Sequence, residues 1–276
     1  MAAEDSVARH YASAGIAERV LAALRAAHGA EAPVTPASLA PMDHFHGRGV
    51  VATGELAALL DPQPGERILD IGCGIGGPAR WIAGKFDCHV AGVDLTPEFC
   101  EAARALSQAC GMADRVTIVE GSATDLPSPD AAFDRAYSHN VVMNIADKPR
   151  FYREAWRVLR PGGVLALANV CAGANGAPYY PQPWATTAAT SFLATVDETR
   201  RDLAAAGFEI LSFRETGETA SPMPPGGQAR AEPASPSPLG IEIVVGERIH
   251  EMRRNGARSY REGRLTTIEA LLRKPA

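Results

Sequence analysis

Asp70 and Asp94 flank a stretch in which Gly72, Gly74, Gly76 and Gly77 fall within six residues, with Cys73 inside it. Residues of these types can hold a nucleoside. Glycine lets a ligand lie directly on the backbone, and a carboxylate can accept hydrogen bonds from the two hydroxyls of a ribose. Asp94 stands 22 positions after Gly72, where the next strand of a nucleotide-binding fold brings up its ribose acid. Taken alone, Asp94 is equally a cap or turn residue ahead of Thr96 and Pro97. His139 is the candidate general base. An imidazole with an ordinary pKa of about 6.5 can take a proton from a hydroxyl or amine; its plainer role is to cap a strand or hydrogen-bond a cofactor.

Gly72, Gly74 and Gly77 also satisfy G-x-G-x-x-G, a weak sign of a dinucleotide when alone. Asp70 separates the possibilities. It lies where a dinucleotide fold would bring up a doubly charged pyrophosphate, and like charges in a partly dry site repel by roughly several kcal/mol. S-adenosylmethionine (SAM) has no phosphate and carries a sulfonium and an ammonium, so a carboxylate there favours SAM over NAD.

The elements that must position these groups are readable in order. Ile68, Leu69 and Ile71 form a short apolar run, interrupted by Asp70, that suits a strand buried on both faces, followed by a turn and a helix over Pro78–Phe86. Further strands are expected at Cys88–Val93, Arg115–Glu120, Phe133–Tyr137, Val164–Val170, Phe208–Phe213 and Leu265–Lys274. Between them lie helices over Pro97–Cys110, the Asp147-capped segment stopped by Pro161-Gly162-Gly163, and a helix begun by the Thr195/Glu198 capping box. This alternation calls for an α/β, doubly wound, Rossmann-like sheet of seven strands, mostly parallel, with helices on both faces. Ligands of such sheets bind outside the carboxyl ends of the strands, which directs Ser138, His139 and Asn140 at the reaction.

Residues 4–28 read as one amphipathic helix, with Val7, Tyr11, Ala14, Leu21 and Leu24 on a face and Gly29 as its stop. Leu39–Thr53 looks too irregular for a good helix. Its His44 and His46 lack a third ligand at sensible spacing, so no metal is assigned. Glu55–Leu60 is a short helix. Cys171–Ala194 is too long for a simple connection and reads as a binding loop whose Tyr179, Tyr180 and Trp184 either wall an acceptor site or pack on the surface. Ser221–Pro238 holds six prolines and two glycines and is expected to be mobile. Leu239–Arg261 resumes as a helix.

Taken together, ILDIGCGIGGPAR, GVDLTPEF, RVTIVEGSATDLPSPDAAFD and NIADKPRFYREAWRVLRPGGVLAL resemble the class I SAM-dependent methyltransferases, over about Leu39–Leu167. The GCGIGGPAR wording is similar to the small-molecule branch with the sterol, tocopherol and sarcosine/dimethylglycine enzymes. The resemblance implies that Asp70, Gly72, Cys73, Gly74, Gly76, Asp94, Leu95, Ser122 and Ala123 hold S-adenosyl-L-methionine. It implies an antiparallel last strand, and N-terminal helices over the cofactor with Tyr11 as a lid residue. Phe45, His46, Asn140 and Met143 would line the acceptor pocket. Many relatives carry an acid where Ser122 stands; a serine hydroxyl can accept the same adenine bond without charge assistance. The division expected is a helical lid over 1–60 and a core over 61–276, with acceptor-site insertions near 171–194 and 217–262.

The 276 residues, 46% hydrophobic and 21% charged, suit one large domain. A net charge of −5 argues against a general nucleic-acid binder. Five cysteines without CxxC spacing read as reduced thiols of a cytoplasmic protein, and no apolar run approaches a membrane span. No [DN]-P-P-[YF] follows the fourth strand, no Pro-Cys pair offers a cytosine-attacking thiolate, and Ala168-Asn169-Val170 lacks the acid of a magnesium-dependent site. The expectation is metal-free transfer of a methyl group to the O, N or C of a small-molecule acceptor. The oligomeric state stays open, a homodimer included. Two rivals remain: a SAM-binding regulatory protein without turnover, and an NAD-dependent oxidoreductase.

Overall fold

A computed structural model describes residues 2–11, 13–216 and 239–276. Seven strands form one sheet: β1 (Arg67–Ile71), β2 (His89–Asp94), β3 (Val116–Glu120), β4 (Phe133–His139), β5 (Leu159–Ala172), β6 (Glu209–Glu215) and β7 (Leu265–Arg273). Their order is β3-β2-β1-β4-β5-β7-β6. The pairs from β3 to β5 are parallel, and β7 runs antiparallel to β5 and β6. The expected fold class holds. The sheet reverses its winding beside β1 and β4, so their carboxyl ends flank the crevice.

Strand alternation divides the core. Leu69 and Ile71 pack with Phe151, Tyr152 and Ala155 of α7 (Lys148–Val158) and Leu203 of α8 (Val196–Ala205). Ile68 and Tyr137 face the other way, against Leu56 and Leu60 of α4 (Val50–Leu60), Ala79 and Ile82 of α5 (Gly77–Phe86), and Ala103 of α6 (Pro97–Ala109). Asp147 accepts from the Arg150 N–H at the head of α7, and the Thr195/Glu198 capping box starts α8, both as the sequence predicts.

Several boundaries differ from expectation. The helix expected over 4–28 is two, α1 (Ala2–Tyr11) and α2 (Ile16–His28), because Gly15 takes a left-handed φ of 66° at the head of α2. Leu39–Thr53 is mostly helical: Thr35 and Ser38 cap α3 (Pro36–Asp43) reciprocally, α4 begins at Val50, and only residues 44–49 are irregular. Helix α7 ends at Val158, ahead of its expected Pro-Gly-Gly stop, because Leu159 already pairs with Phe133. Gly246, with φ 77°, divides the last helical stretch into α9 (Glu242–Val245) and α10 (Ile249–Arg261). The Ser221–Pro238 segment lies outside the described residues. Among those described, no helix is long and apolar enough to cross a membrane.

Candidate active site

Carboxyl ends of β1, β2, β4 and β5 open into one cavity of 2270 Å³, walled also by α1, residues 43–50, the loop after β5, α9 and α10. Asp70, Gly72, Cys73, Gly74, Asp94, Leu95, Ser122, Ala123, Phe45, His46, His139, Asn140, Met143 and Trp184 all line it. Gly76, Tyr179 and Tyr180 do not. The Tyr179 ring lies between the guanidinium groups of Arg258 and Arg264, at 3.9 and 4.6 Å, and its hydroxyl donates to Glu262. Tyr180 packs against a cluster containing Met143, Trp184 and Leu265. Both tyrosines thus hold the loop onto α10 and β7, so of the two roles the sequence left open for them, walling an acceptor site or packing, they take the packing one.

The glycine turn answers first to its own neighbours. A Cβ on Gly72, where φ is 83°, would lie 2.3 Å from Val141; one on Gly77 would lie 2.2 Å from the Asp43 carbonyl oxygen. Their bareness serves close packing of chain on chain, not only ligand approach. Gly72→Ala is therefore expected to lower stability by about 1–3 kcal/mol through overpacking, read as a drop in melting temperature. Gly74 opens on the cavity with its N–H donated to Asp94 Oδ2 at 2.8 Å. Asp94 Oδ1 accepts from the Thr96 N–H at 2.9 Å, and burial raises the carboxyl's pKa.

Asp70 is only 2% exposed. Tyr137 donates its hydroxyl to Asp70 Oδ2 at 2.7 Å, yet burial, with a smaller contribution from Asp94, pushes the carboxyl up to about 7. An acid so placed is half-neutralised near physiological pH and gains its charge fully when a cation arrives. The donor set therefore suits an ammonium at Asp70 and a diol at Asp94, as SAM presents them.

At the far side of the turn, His139 stacks on His46 with ring centroids 3.6 Å apart and planes 11° from parallel. Burial, with His44 and Arg48 nearby, lowers the His139 pKa to about 3, so the ring is neutral. Its Nδ1 is enclosed without a partner among the described residues, which leaves Nε2 as the nitrogen toward the cavity. Asn140, next along, holds a left-handed φ of 57° and donates its N–H to the Ala168 carbonyl.

Sequence reasoning missed four participants. Glu4 of α1 accepts from Ser122 Oγ at 2.5 Å and Thr124 Oγ1 at 3.1 Å, bringing to the end of β3 the carboxylate that position 122 lacks. Arg80 and Asp43 form a fully buried ion pair at 2.9 Å, and the Thr53 hydroxyl lies between His44 and His46. No local pattern links residues so far apart in the chain. Tyr11, flagged as a lid residue, lines the cavity and accepts from Asn144 Nδ2 at 3.3 Å.

Comparison with known proteins decides the family. Residues 69–167 match the methyltransferase domain family. The chain is 31% identical over 193 residues to Methyltransferase GfsG of Streptomyces halstedii, covering 69% of this chain and 68% of that one. The chain belongs to the class I SAM-dependent methyltransferases. It is also 36% identical over 135 residues to Phosphoethanolamine N-methyltransferase 1 of Arabidopsis thaliana, but spans only 27% of that protein's length. Among solved structures, geranyl diphosphate C-methyltransferase of Streptomyces coelicolor A3(2) has the same fold, with a TM-score of 0.67, 15% identity, and coverage of 99% of this chain and 98% of that one. Membership in this family removes the NAD-dependent oxidoreductase reading.

Proposed function

We propose that the chain transfers the methyl group of SAM to a hydroxyl oxygen of a bulky, largely apolar small molecule. One observation carries the reading. The cavity that takes in Asp70, Asp94 and His139 is also lined by two apolar groups, Met143, Val170, Trp184 and Tyr260 in one and Ile249 and Met252 in the other. Its 2270 Å³ exceeds the roughly 300–1,000 Å³ of an ordinary single-ligand pocket, so there is room for a cofactor and a large acceptor together.

When bound, SAM supplies a sulfonium-activated methyl group. Asp70 would hold the cationic amino-acid end and Asp94 the ribose diol. Glu4, Ser122 and Thr124 would hold the adenine end. The apolar lining residues would help exclude water and align the acceptor, and such orientation contributes about 7–11 kcal/mol in favourable cases. The neutral His139 ring, which lines the cavity, would take up the proton that the acceptor hydroxyl loses. A protonated ether is a far stronger acid than an imidazolium, so even a weakly basic imidazole accepts that proton once methyl transfer is under way.

The test is transfer of labelled methyl from SAM into pools of hydroxylated apolar metabolites, with products identified by mass. His139→Ala should cut the rate by about 10² to 10⁴. An unimpaired variant would remove His139 from the chemistry, and SAM binding without any labelled product would favour the regulatory-protein reading.

Asp70 adds a pH dependence. Its raised pKa means that the empty site binds a proton below about pH 7, which a cationic ligand must displace. SAM affinity is therefore expected to be about tenfold weaker at pH 6 than at pH 7.5, with close to one proton released per SAM bound at the lower pH. Calorimetry in buffers of different ionisation enthalpy reads that proton, and Asp70→Asn should abolish it.

A further inference from the structure

The stacked pair His46–His139 is the end of a polar chain that begins deep in the protein. Arg80 Nη2 donates to Asp43 Oδ2 at 2.9 Å; Asp43 Oδ1 lies 3.5 Å from His44 Nε2. His44 Nδ1 is 2.8 Å from Thr53 Oγ1, which is 3.3 Å from His46 Nε2. Arg80, Asp43, His44 and Thr53 are all buried. Among the described residues, Asp43 Oδ1 and His44 Nε2 have no hydrogen-bond partner, so each is the other's nearest recourse.

The chain has only one sense. A carboxylate held by a guanidinium carries no proton, and its negative charge 3.5 Å from His44 Nε2 favours the tautomer with the proton on that nitrogen rather than a lone pair. His44 Nδ1 then carries a lone pair and takes the single hydroxyl proton of Thr53. The Thr53 oxygen is left with lone pairs alone, so His46 must donate to it from Nε2. A second proton on His46 Nδ1 would find no acceptor, since that atom is enclosed and unpartnered. The charged and titratable groups facing His46 are His139 on β4 and His44 and Arg48 on its own loop, and all oppose a positive charge there.

We propose that His46 is a positioning residue for methyl transfer: Arg80, Asp43, His44 and Thr53 lock it as the neutral Nε2–H tautomer, and its face fixes the His139 ring and supports it as that ring takes up a proton. A neutral aromatic face attracts a cation stacked on it, whereas a second imidazolium would repel it. The role assigned to His139 rests on the function proposed above; the tautomer of His46 does not.

The test is imidazole ¹⁵N spectroscopy of the full-length labelled protein without cofactor or acceptor, with His46→Phe and His139→Phe to assign the signals. His46 should show a protonated Nε2 and a bare Nδ1, unchanged between about pH 5.5 and 8. In Thr53→Val, the two nitrogens should move toward a common averaged shift, and Thr53→Ser should restore the separation. Carbon-bound protons of His139 should carry an upfield ring-current displacement that His46→Leu loses and His46→Phe keeps. A wild-type His46 with its proton on Nδ1, a mixture of tautomers, or a Thr53→Val protein with unchanged His46 signals would overturn the relay. A displacement that survives His46→Leu would overturn the stacking role. SAM binding and labelled product, measured on the same wild-type protein, report separately on the proposed function.

Discussion

Asp94→Ala is expected to weaken SAM binding about a hundredfold. The carboxylate is fixed from behind by two backbone donors, the Gly74 and Thr96 N–H groups, and it faces the cavity from the end of β2. Hydrogen bonds from a ribose diol to such a charged group contribute about 1.5–3 kcal/mol each, and losing about 2.7 kcal/mol is two orders of magnitude in affinity. The alanine also frees the Gly74 N–H, so the turn loses one of its contacts with β2 and keeps the Gly72 and Cys73 N–H bonds to the Val93 carbonyl. Titration calorimetry gives the comparison directly. Asp94→Asn, which can still accept from one backbone donor, should fall between the two; an alanine variant within threefold of wild type would mean that the ribose is held elsewhere.

Arg80→Met is expected to be the most damaging single change to stability. The guanidinium is fully buried and joins three helices: it donates to Asp43 on α3, to the Ile75 carbonyl ahead of α5, and to the Ala103 carbonyl and Ser107 hydroxyl of α6. Removing it leaves Asp43 as a buried carboxylate without its counter-ion, which typically costs about 3–5 kcal/mol. For a chain of this size that is on the order of 10 °C in melting temperature. Arg80→Met combined with Asp43→Leu should regain most of the loss, because the uncompensated charge is then gone. A single variant that melts within about 2 °C of wild type would show that water reaches Asp43.

What the sequence made legible was local. The sheet could be read because each strand is a short apolar run ended by a turn, and because the glycines around position 74 mark the first crossover. Asp70 and Asp94 were found by their distance from that turn. Residues 4–28 misled because the apolar face continues in phase across Gly15, so periodicity alone could not show the break. Leu39–Thr53 hid two helices for the opposite reason: glycines and histidines between the helices outweighed the capping signals at Thr35 and Ser38. Tyr179 and Tyr180 drew attention as aromatic residues in a long loop, but the arginines that hold Tyr179 come from α10 and the turn after it. The partnerships of Arg80 with Asp43, and of Glu4 with Ser122, span 37 and 118 positions. Only the folded chain brings such pairs together.

The placement of β7 bears on how the protein is made. This strand is the last of the seven to leave the ribosome, yet it lies inside the sheet, with β5 on one side and β6 on the other. Among the described residues strand β6 has no other neighbour, so it cannot join the sheet while β7 is still being translated. Until then β5 presents an open edge, and the apolar side chains of Val170 and Leu167 lack the Thr267 and Ala270 register that closes over them. The strands from β3 to β5 can pair in the order of synthesis, whereas β6 must wait for β7, and the open edge of β5 is exposed to mispairing during that interval.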